Sequence, residues 1–376
     1  MGKDWQPLAE VRNNFRVQWY RCPVDPNRLR ELMKRSDLQG WFHSIGNLLL
    51  VAGTGLTVYF FWSRQIWIGC IISLFVHGTI GSFFRGLATH ELNHGTVFRT
   101  KWLNRFFLYL YAILSWDNPF DYAVSHTYHH RYTLHPKGDR EAVLPAKLAF
   151  KFTLMLQLFS LNIWNKRRSL GTGGVLPVLI DFLLTSVGVI DGEWVRATFA
   201  DQPKERAKSI WWARIVIIFH GSVITLSVIQ GQWMLLVIVC LFPFIGNWLT
   251  FFVGMPMHSG LRDNITDFRK CVRSITLNPF VEFIYWHMNW HTEHHMYAGV
   301  PCYNLKKLYD EIADDMPMPR SLISAWREMR QTWKQQKIDP DYQYDTPIPV
   351  SATKKIIVTK DELVGSIGEL APKTLE

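Results

Sequence analysis

The sequence predicts an all-α integral membrane protein with four transmembrane helices, which form two hairpins, and a helical cap on the cytoplasmic side. Two observations lead to this prediction: long apolar segments separated by short turns, and the sidedness of the basic residues. The chain has 376 residues and is 48% hydrophobic. Its 17 Trp and 13 Tyr suit a protein with wide aromatic belts at the membrane interfaces.

Four segments are apolar and long enough to cross a bilayer core of about 30 Å. They cover residues 41–62, 66–84, 210–229 and 233–253. Only the turns 63–65 and 230–232 separate the members of each pair, so each pair is predicted to be a helical hairpin that returns the chain to the side it left.

The basic residues predict the orientation of these hairpins. The turn 63–65 holds one basic residue, Arg64, and the turn 230–232 holds none, whereas Lys and Arg are frequent at the other ends of the apolar segments. Cytoplasmic loops carry an excess of Lys and Arg, so the long segments are predicted to be cytoplasmic. The net charge of +10 then suits anionic lipid headgroups, and no nucleic-acid module is recognisable.

The remaining segments predict three regions: a cytoplasmic N-terminal segment (1–40), a membrane domain with its cytoplasmic cap (41–320) and a cytoplasmic tail (321–376). Residues 102–116 are predicted to form an interfacial or re-entrant helix, and 148–190 interfacial helices, with a span possible at 175–190. The end of the tail, from about 336, is predicted to be extended or disordered. Lys360-Asp-Glu-Leu363 resembles a retention signal but is internal.

Eight of the 14 histidines lie in three short windows, His90-Glu-Leu-Asn-His94, His126-Thr-Tyr-His129-His130 and His291-Thr-Glu-His294-His295. Spacings of three and four residues put the rings of a window on one face of a helix. All three windows fall on the predicted cytoplasmic side, as does His258, one or two turns beyond the fourth apolar segment. Together they predict a polynuclear metal site, and imidazole suits Fe, Zn, Cu or Ni.

Other interpretations of the histidines explain less of the pattern. The HExxH match at His90 is compatible with a membrane zinc protease with Glu91 as general base, but that leaves at least five clustered histidines without a role. A bis-histidine haem cytochrome should hold its ligands inside the spans. A ferritin-like site would need paired Glu-x-x-His motifs. His43, His77, His135, His220 and His287 are interpreted as structural, with His287 close enough to His291 to support it.

With two membrane hairpins between them, the boxes HxxxH, HxxHH and HxxHH resemble the membrane fatty acid desaturase and hydroxylase superfamily over roughly residues 40–320. Asp139 and Glu141 after the second box, Arg269 and Arg273 before the third, and Pro301 and Leu305 after it extend the resemblance. Among subfamilies the chain is most similar to bacterial desaturase-like proteins, including those resembling a rhizopine-catabolism oxygenase component.

The resemblance implies a non-haem centre of two iron atoms with histidine ligands. Carried over by position, these ligands are His90, His94, His126, His129, His130, His258, His291, His294 and His295. Carboxylates that orient the rings are expected among Glu91, Asp121, Asp139, Glu141 and Glu293. The chain departs from the acyl-CoA branch at Gly254, where that branch has an Asn that acts through water.

The reaction implied by the resemblance is O₂-dependent oxidation of unactivated C–H bonds of a lipid, with fatty acyl desaturation favoured. The alternative is hydroxylation of an alkyl, terpenoid or other small substrate. Five cysteines without a CxxC motif exclude an Fe–S cluster in the chain, and no cytochrome b5 motif is present. Gly171-Thr-Gly-Gly174 is too weak for a nucleotide site. Electrons are therefore expected from a separate ferredoxin, rubredoxin or cytochrome b5.

Overall fold

The computed structural model of the chain describes residues 7–141, 152–165 and 173–350. In these ranges the protein is mainly helical, with one two-stranded parallel sheet, β1 (Ile275–Thr276) beside β2 (Arg320–Ser321). Lys360-Asp-Glu-Leu363, the first two residues of Gly171-Thr-Gly-Gly174 and the end of the predicted tail lie outside the described residues.

The N-terminal segment and the first hairpin contain four helices, α1 (Leu8–Asn14), α2 (Pro26–Leu32), α3 (Asp37–Ser63) and α4 (Trp67–Gly81). Ser36 caps α3 by accepting a hydrogen bond from the Gln39 amide. α3 and α4 pack closely along their length. Leu49, Leu56 and Phe60 are exposed on the outer side of α3, which suits lipid rather than water.

Among the described residues, six further helices lie between α4 and the second pair of apolar segments. They are α5 (Ala88–Asn93), α6 (Lys101–Ser115), α7 (Pro119–Tyr132), α8 (Phe152–Leu158), α9 (Val175–Ser186) and α10 (Glu193–Phe199). α6 buries Phe107 and Tyr111 and exposes Trp102 and Phe106, as a helix at the membrane interface would. α9 has 12 residues, about 18 Å of helix, and is therefore too short for the span considered at 175–190.

Three helices are long and apolar enough to cross a membrane among the described residues. They are Asp37–Ser63, Trp67–Asn93 (α4 continued through a 3₁₀ turn to the end of α5) and Pro203–Ile229, with mean hydropathies of 1.5, 1.6 and 1.8. The last is α11. The three coincide with the first three predicted spans.

The fourth predicted span is interrupted. After α12 (Trp233–Leu236) come a π-helical stretch (Val237–Leu241) and a 3₁₀ turn (Phe242–Phe244), and helix resumes as α13 (Trp248–Gly254). Gly246 at the break has φ +60°, and a Cβ there would lie 2.8 Å from Thr79 Oγ1. The apolar composition of 233–253 predicted one helix, but close packing against α4 at this point requires a backbone turn that glycine alone adopts easily.

Within the described residues the cap is completed by five helices beyond the second pair of apolar segments, α14 (Phe268–Cys271), α15 (Pro279–Ile284), α16 (His291–Met296), α17 (Leu305–Ile312) and α18 (Leu322–Gln335). The described segments nearest the two ends of the chain pack on this cap. Residue Tyr20 forms a bridge with Asp267, and Tyr344 forms one with Leu261. The segment 336–350 has no helix, as predicted, but is held in place, since Thr346 is buried and its carbonyl accepts a hydrogen bond from Lys270 Nζ.

Candidate metal centre

Four structural elements carry the nine predicted ligands. His90 lies on α5 and His94 at its C-terminal cap, His126, His129 and His130 lie on α7, His258 follows a 3₁₀ turn after α13, and His291, His294 and His295 lie on α16. Most of these residues are buried, and His94 and His130 are partly exposed.

The structure brings the nine side chains together as two adjacent groups. One group, the five-histidine cluster, consists of His90, His94, His126, His130 and His294. The other, the four-histidine cluster, consists of His129, His258, His291 and His295. Within each cluster the possible ligand atoms all lie within 4.8 Å of one another.

The division follows the helical spacing of the boxes. On α7, His126 and His130 enter the five-histidine cluster and His129 enters the other. On α16 the arrangement is reversed, because His291 and His295 enter the four-histidine cluster and His294 crosses to the first. On a helix with 3.6 residues per turn, the positions three and four residues along lie on either side of the first, about 100° apart around the axis, so rings on one broad face can still be directed at two different clusters. Each helix therefore serves both clusters.

The ring nitrogens of the five-histidine cluster face one another in a row. Nε2 of His126 lies 3.2 Å from Nε2 of His94 and 2.9 Å from Nε2 of His130, and Nε2 of His130 lies 3.1 Å from Nε2 of His294. Each Nε2 either carries one proton or accepts one. Whichever tautomers are chosen, the three contacts cannot all be hydrogen bonds, because one of the two middle rings would need to donate a single proton twice.

A bound cation removes this conflict, because every Nε2 can then direct its lone pair at the ion. With metal–nitrogen bonds of about 2.0–2.1 Å, neighbouring ligand nitrogens at right angles lie about 3 Å apart. The four-histidine cluster has the same spacing, with Nε2 of His291 3.0 Å from that of His258 and 3.2 Å from that of His295. The donor atoms present therefore fit two metal ions, one in each cluster.

Three of the five predicted carboxylates hold the outer nitrogens of the rings. Glu91 Oε1 is 2.9 Å from Nδ1 of His90, Asp139 Oδ2 is 2.8 Å from Nδ1 of His129, and Glu141 Oε1 is 2.8 Å from Nδ1 of His126. A carboxylate that accepts a hydrogen bond from the Nδ1–H group fixes the tautomer of the ring and leaves the Nε2 lone pair free for a metal.

The electrostatics of Asp139 fit this role. Burial acts to raise its pKa, but the charge and hydrogen bond of His129, with the Leu134 amide, outweigh burial and hold the pKa below its ordinary value. The pKa of Glu141 is lowered in the same way by His126 against the effect of burial. Both groups are therefore anionic acceptors near neutral pH.

The other two predicted carboxylates are placed differently. Asp121 lines the cavity beside the histidines. Glu293 is fully buried, accepts a hydrogen bond from Ser274 Oγ at 2.6 Å, and burial raises its pKa to about 7. Ser274 Oγ in turn accepts a hydrogen bond from the Thr292 amide on α16, so the contacts of Glu293 support the helix that carries the third box.

Several partners of the rings were missed by sequence reasoning. Nδ1 of His258 donates to the Cys271 carbonyl at 3.0 Å, and Nδ1 of His295 lies 3.1 Å from Thr133 Oγ1. Tyr122 stacks on His126 with ring centroids 5.0 Å apart. A carbonyl or hydroxyl partner has no recognisable pattern in the sequence. Tyr122, however, lies one helical turn before His126, and this spacing could have indicated that the two rings stack.

The five remaining histidines lie outside both clusters, as interpreted from the sequence. His77 and His220 hydrogen-bond to the carbonyls of Ile238 and Ile113, and His287 lies 3.4 Å from Glu282. His287 therefore contacts the residues that precede the third box rather than a ligand of either cluster.

A cavity of about 960 Å³ reaches both clusters. This volume is in the range of small-molecule sites. Five of the nine histidines line it: His90, His126, His129, His258 and His291. Apolar side chains including Trp116, Leu176, Phe182, Met257 and Met288 form much of its wall, and Arg85, Arg140 and several carboxylates lie around it.

Comparison with known proteins shows a match between this chain and one protein family. The sequence profile described as fatty acid desaturase matches residues 62–326, which include all three boxes and His258. No curated protein matches the chain with significant similarity.

Proposed function

Because the chain belongs to the fatty acid desaturase family, we propose that it is a membrane oxidoreductase that uses O₂ and two iron atoms to oxidise C–H bonds of a lipid, with acyl desaturation as the reaction. The observation that carries the proposal is the pair of adjacent clusters of five and four histidines. A single-metal hydrolase needs three or four ligands in one place, and nine in two places indicate a two-metal centre.

In this proposal the nine histidines are the iron ligands, each through the nitrogen that faces its cluster. When bound, the two iron atoms supply the reduction of O₂ and the removal of hydrogen from an unactivated carbon. The chain contributes position, tautomer and exclusion of water. Glu91, Asp139 and Glu141 hold the Nδ1 protons of three ligands, and Thr133 and the Cys271 carbonyl contact the outer nitrogens of two more.

Desaturation of one –CH₂–CH₂– unit consumes one O₂, two electrons and two protons, and it gives an alkene and two water molecules. Hydroxylation consumes the same inputs and gives an alcohol and one water. The cavity orients the substrate, because apolar side chains and five of the nine histidines line it together. The position of a C–H bond relative to the centre decides between the two products, so hydroxylation is kept as the second candidate.

The protease alternative is not supported by the position of Glu91. Its carboxylate is fully buried and hydrogen-bonded to Nδ1 of His90, and the described residues that line the cavity include His90 but not Glu91. A general base has to reach the substrate or its water, whereas Glu91 is directed at a ligand.

The proposed topology is that of the two hairpins, with both chain ends and the metal centre in the cytoplasm. The support is the contrast between the nearly uncharged turns at 63–65 and 230–232 and the basic residues at the opposite ends of α3, α4 and α11. The second hairpin closes through the interrupted segment 233–257, which carries His258 to the cap.

Product analysis tests the proposal. The protein is expressed in membranes with a reductase and carrier, supplied with acyl lipids, and the products are analysed by mass spectrometry. Loss of two hydrogens from the acyl chain is expected, and gain of one oxygen would indicate the hydroxylation alternative. Purified protein with a single zinc ion and no oxidised lipid would contradict the diiron proposal.

A further inference from the structure

We propose that an acidic one-electron carrier protein docks on the cytoplasmic surface formed by Trp19, Arg21, Arg131 and Lys137, above the four-histidine cluster. We call this surface the Trp19 face. The inference rests on the proposed function, because only an enzyme that consumes electrons needs such a partner. It adds to that function the place where electrons enter and the side of the metal centre that receives them.

Aromatic rings connect the Trp19 face to a ligand. Trp19 stacks on Phe268 with ring centroids 4.1 Å apart and an interplanar angle of 12°. Phe268 in turn lies 5.5 Å from the ring of His295, a member of the four-histidine cluster. Trp19 is half-buried, so a carrier that touches its exposed edge is two ring contacts from the metal centre.

This approach lies apart from the substrate cavity. The histidines that line the cavity include His129, His258 and His291 of the four-histidine cluster, but His295 is not among the described lining residues. His295 contacts Phe268 instead. Lipid and electron carrier can therefore reach the same cluster at one time from different directions.

The segment that carries Trp19 is fixed to the cap. The Tyr20 amide donates to the Thr266 carbonyl at 2.8 Å, and the Trp19 indole N–H donates to the Arg131 carbonyl at 2.9 Å. The Arg269 guanidinium lies 4.1 Å from the centre of the Tyr20 ring and pairs with Asp267. A docking surface that is already ordered loses little conformational entropy when a partner binds.

The charge of this surface indicates the partner. Arg21 and Arg131 are exposed and Lys137 is partly exposed, and no ion pair joins any of the three to an acidic side chain in the part of the chain that the structure describes. Lys137 lies over the Phe15 ring and Arg21 beside the Tyr297 ring. Unpaired positive charges at the rim of an interface attract and orient an acidic partner.

A second aromatic route, through Trp290, has a different charge pattern. Trp290 precedes His291, and Tyr309 and Lys306 lie beside its ring. Lys306, however, pairs with Asp310, and Glu311 pairs with Arg28. Because positive and negative groups alternate there, that surface offers no net attraction to an acidic carrier, and it supplies the control.

The carrier supplies the electrons that the proposed reaction consumes. Each docking event oxidises one reduced [2Fe–2S] carrier and passes one electron to the centre, so two events precede each turnover with one O₂. The two protons come from water.

The test compares two charge-reversed variants of the full-length protein in vesicles, Arg21→Glu/Lys137→Glu and Lys306→Glu/Lys307→Glu. The probe is an acidic [2Fe–2S] ferredoxin kept reduced by its NADPH reductase. At low ionic strength the first variant should raise the KM for ferredoxin about tenfold with little change in kcat, because rim charges act mainly on the association rate. The second variant should behave like the wild type.

Salt provides a second readout. The difference between the first variant and the wild type should disappear toward 1 M salt, where the screening length falls to about 3 Å. A wild-type KM in Arg21→Glu/Lys137→Glu, an equal rise in both variants, or no wild-type turnover with ferredoxin while dithionite supports product formation would each overturn the proposal.

The aromatic route is tested at saturating ferredoxin. In Trp19→Leu the rate of turnover driven by ferredoxin should fall. In Trp19→Phe this rate should be retained, because an aromatic ring remains against Phe268. Unchanged carrier-driven rate in Trp19→Leu would overturn the route through Trp19.

Chemical reduction separates this inference from the proposed function. In a single turnover with dithionite and O₂, all variants should form product in the same amount and hold the same metal content. If the wild type forms no product under these conditions, the proposed function itself fails. If all form product and the docking variants show no carrier effect, only the Trp19 face is wrong.

Discussion

At the scale of single residues, the two clusters predict that a change in one cluster removes the metal ion of that cluster and leaves the other in place. His294→Ala removes a ring from the five-histidine cluster and His129→Ala removes one from the four-histidine cluster. In the proposed diiron centre, each variant should lower the iron content from about two per chain toward about one and abolish activity, because imidazole ligands set the affinity of each site. Metal analysis of purified protein together with product assays measures both effects.

His287→Ala is the matched control for these variants, because His287 lies close in sequence to the third box but outside both clusters. It should keep both metal ions. Full metal content and full activity in either ligand variant would contradict the assignment of ligands.

Replacing Asp139, the carboxylate that hydrogen-bonds to His129, should weaken metal binding without abolishing it. Asp139→Asn keeps the shape of the side chain but replaces an anionic acceptor by an amide, so the Nδ1 proton of His129 is held less firmly. Loss of such a partner typically lowers metal affinity or activity 10–100-fold, by about 1.4–2.8 kcal/mol. Competition with a chelator measures the affinity.

Glu293→Gln provides the comparison for Asp139→Asn. It is also a buried acid-to-amide change, but its hydrogen bond goes to Ser274 rather than to a ring, and the amide oxygen can still accept it. Metal retention should be near that of the wild type. Equal metal loss in both variants would mean that burial, rather than contact with a ligand, sets the effect.

At the scale of elements, the interruption of the fourth apolar segment depends on Gly246. With φ +60° and a Cβ position 2.8 Å from Thr79 Oγ1 and 3.2 Å from the Phe75 carbonyl, Gly246→Ala is both strained and crowded. A residue held in such a conformation costs about 1–3 kcal/mol. The variant should unfold at a lower temperature and, because His258 lies twelve residues on, should lose metal from the four-histidine cluster.

Gly53→Ala is the control for this position, because it lies within α3 and nothing lies within 4 Å of its added Cβ. Thermal unfolding in detergent should leave its midpoint near that of the wild type. An equal loss of stability in both variants would show that the membrane segments tolerate no added methyl group, whatever the backbone conformation.

The two hairpins predict which turns face the outside of the cell. Ser63 and Gln230 are exposed at the two short turns, so cysteines at these positions should react with an impermeant thiol reagent added to intact cells. Met318, 83% exposed in the cap, should react as cysteine only after permeabilisation. The five native cysteines are buried, which keeps the background low. The reverse labelling pattern would invert the topology.

At the scale of the whole molecule, the chain is predicted to depend on an external reductant. Its sequence contains neither a cysteine cluster nor a cytochrome b5 motif. The purified protein with O₂, lipid and NADPH alone should therefore be inactive, and a reductase with an acidic carrier should restore turnover. Oxygen consumption with product analysis measures this. Turnover with NADPH alone would show that the chain reduces its own centre.

The sequence by itself determined which histidines could form a metal centre and which segments could cross a membrane. Both follow from local rules, because spacings of three and four residues place histidines on one helical face and the long apolar runs have the length that a bilayer core requires. Three of the four predicted spans appear as long helices in the structure. The nine predicted ligand residues meet in two clusters, and their role as ligands stays a prediction.

Only the tertiary structure decided how these parts are combined. The division into five and four histidines, the pairing of Asp139 with His129 and of Glu141 with His126, and the break at Gly246 all depend on the rotation and separation of helices distant in sequence. The N-terminal segment, predicted as a separate region, packs on the cap through Trp19 and Tyr20. The periodicity of a sequence indicates which face of a helix is buried. It does not indicate which element packs against that face, because this depends on the packing of the whole cap.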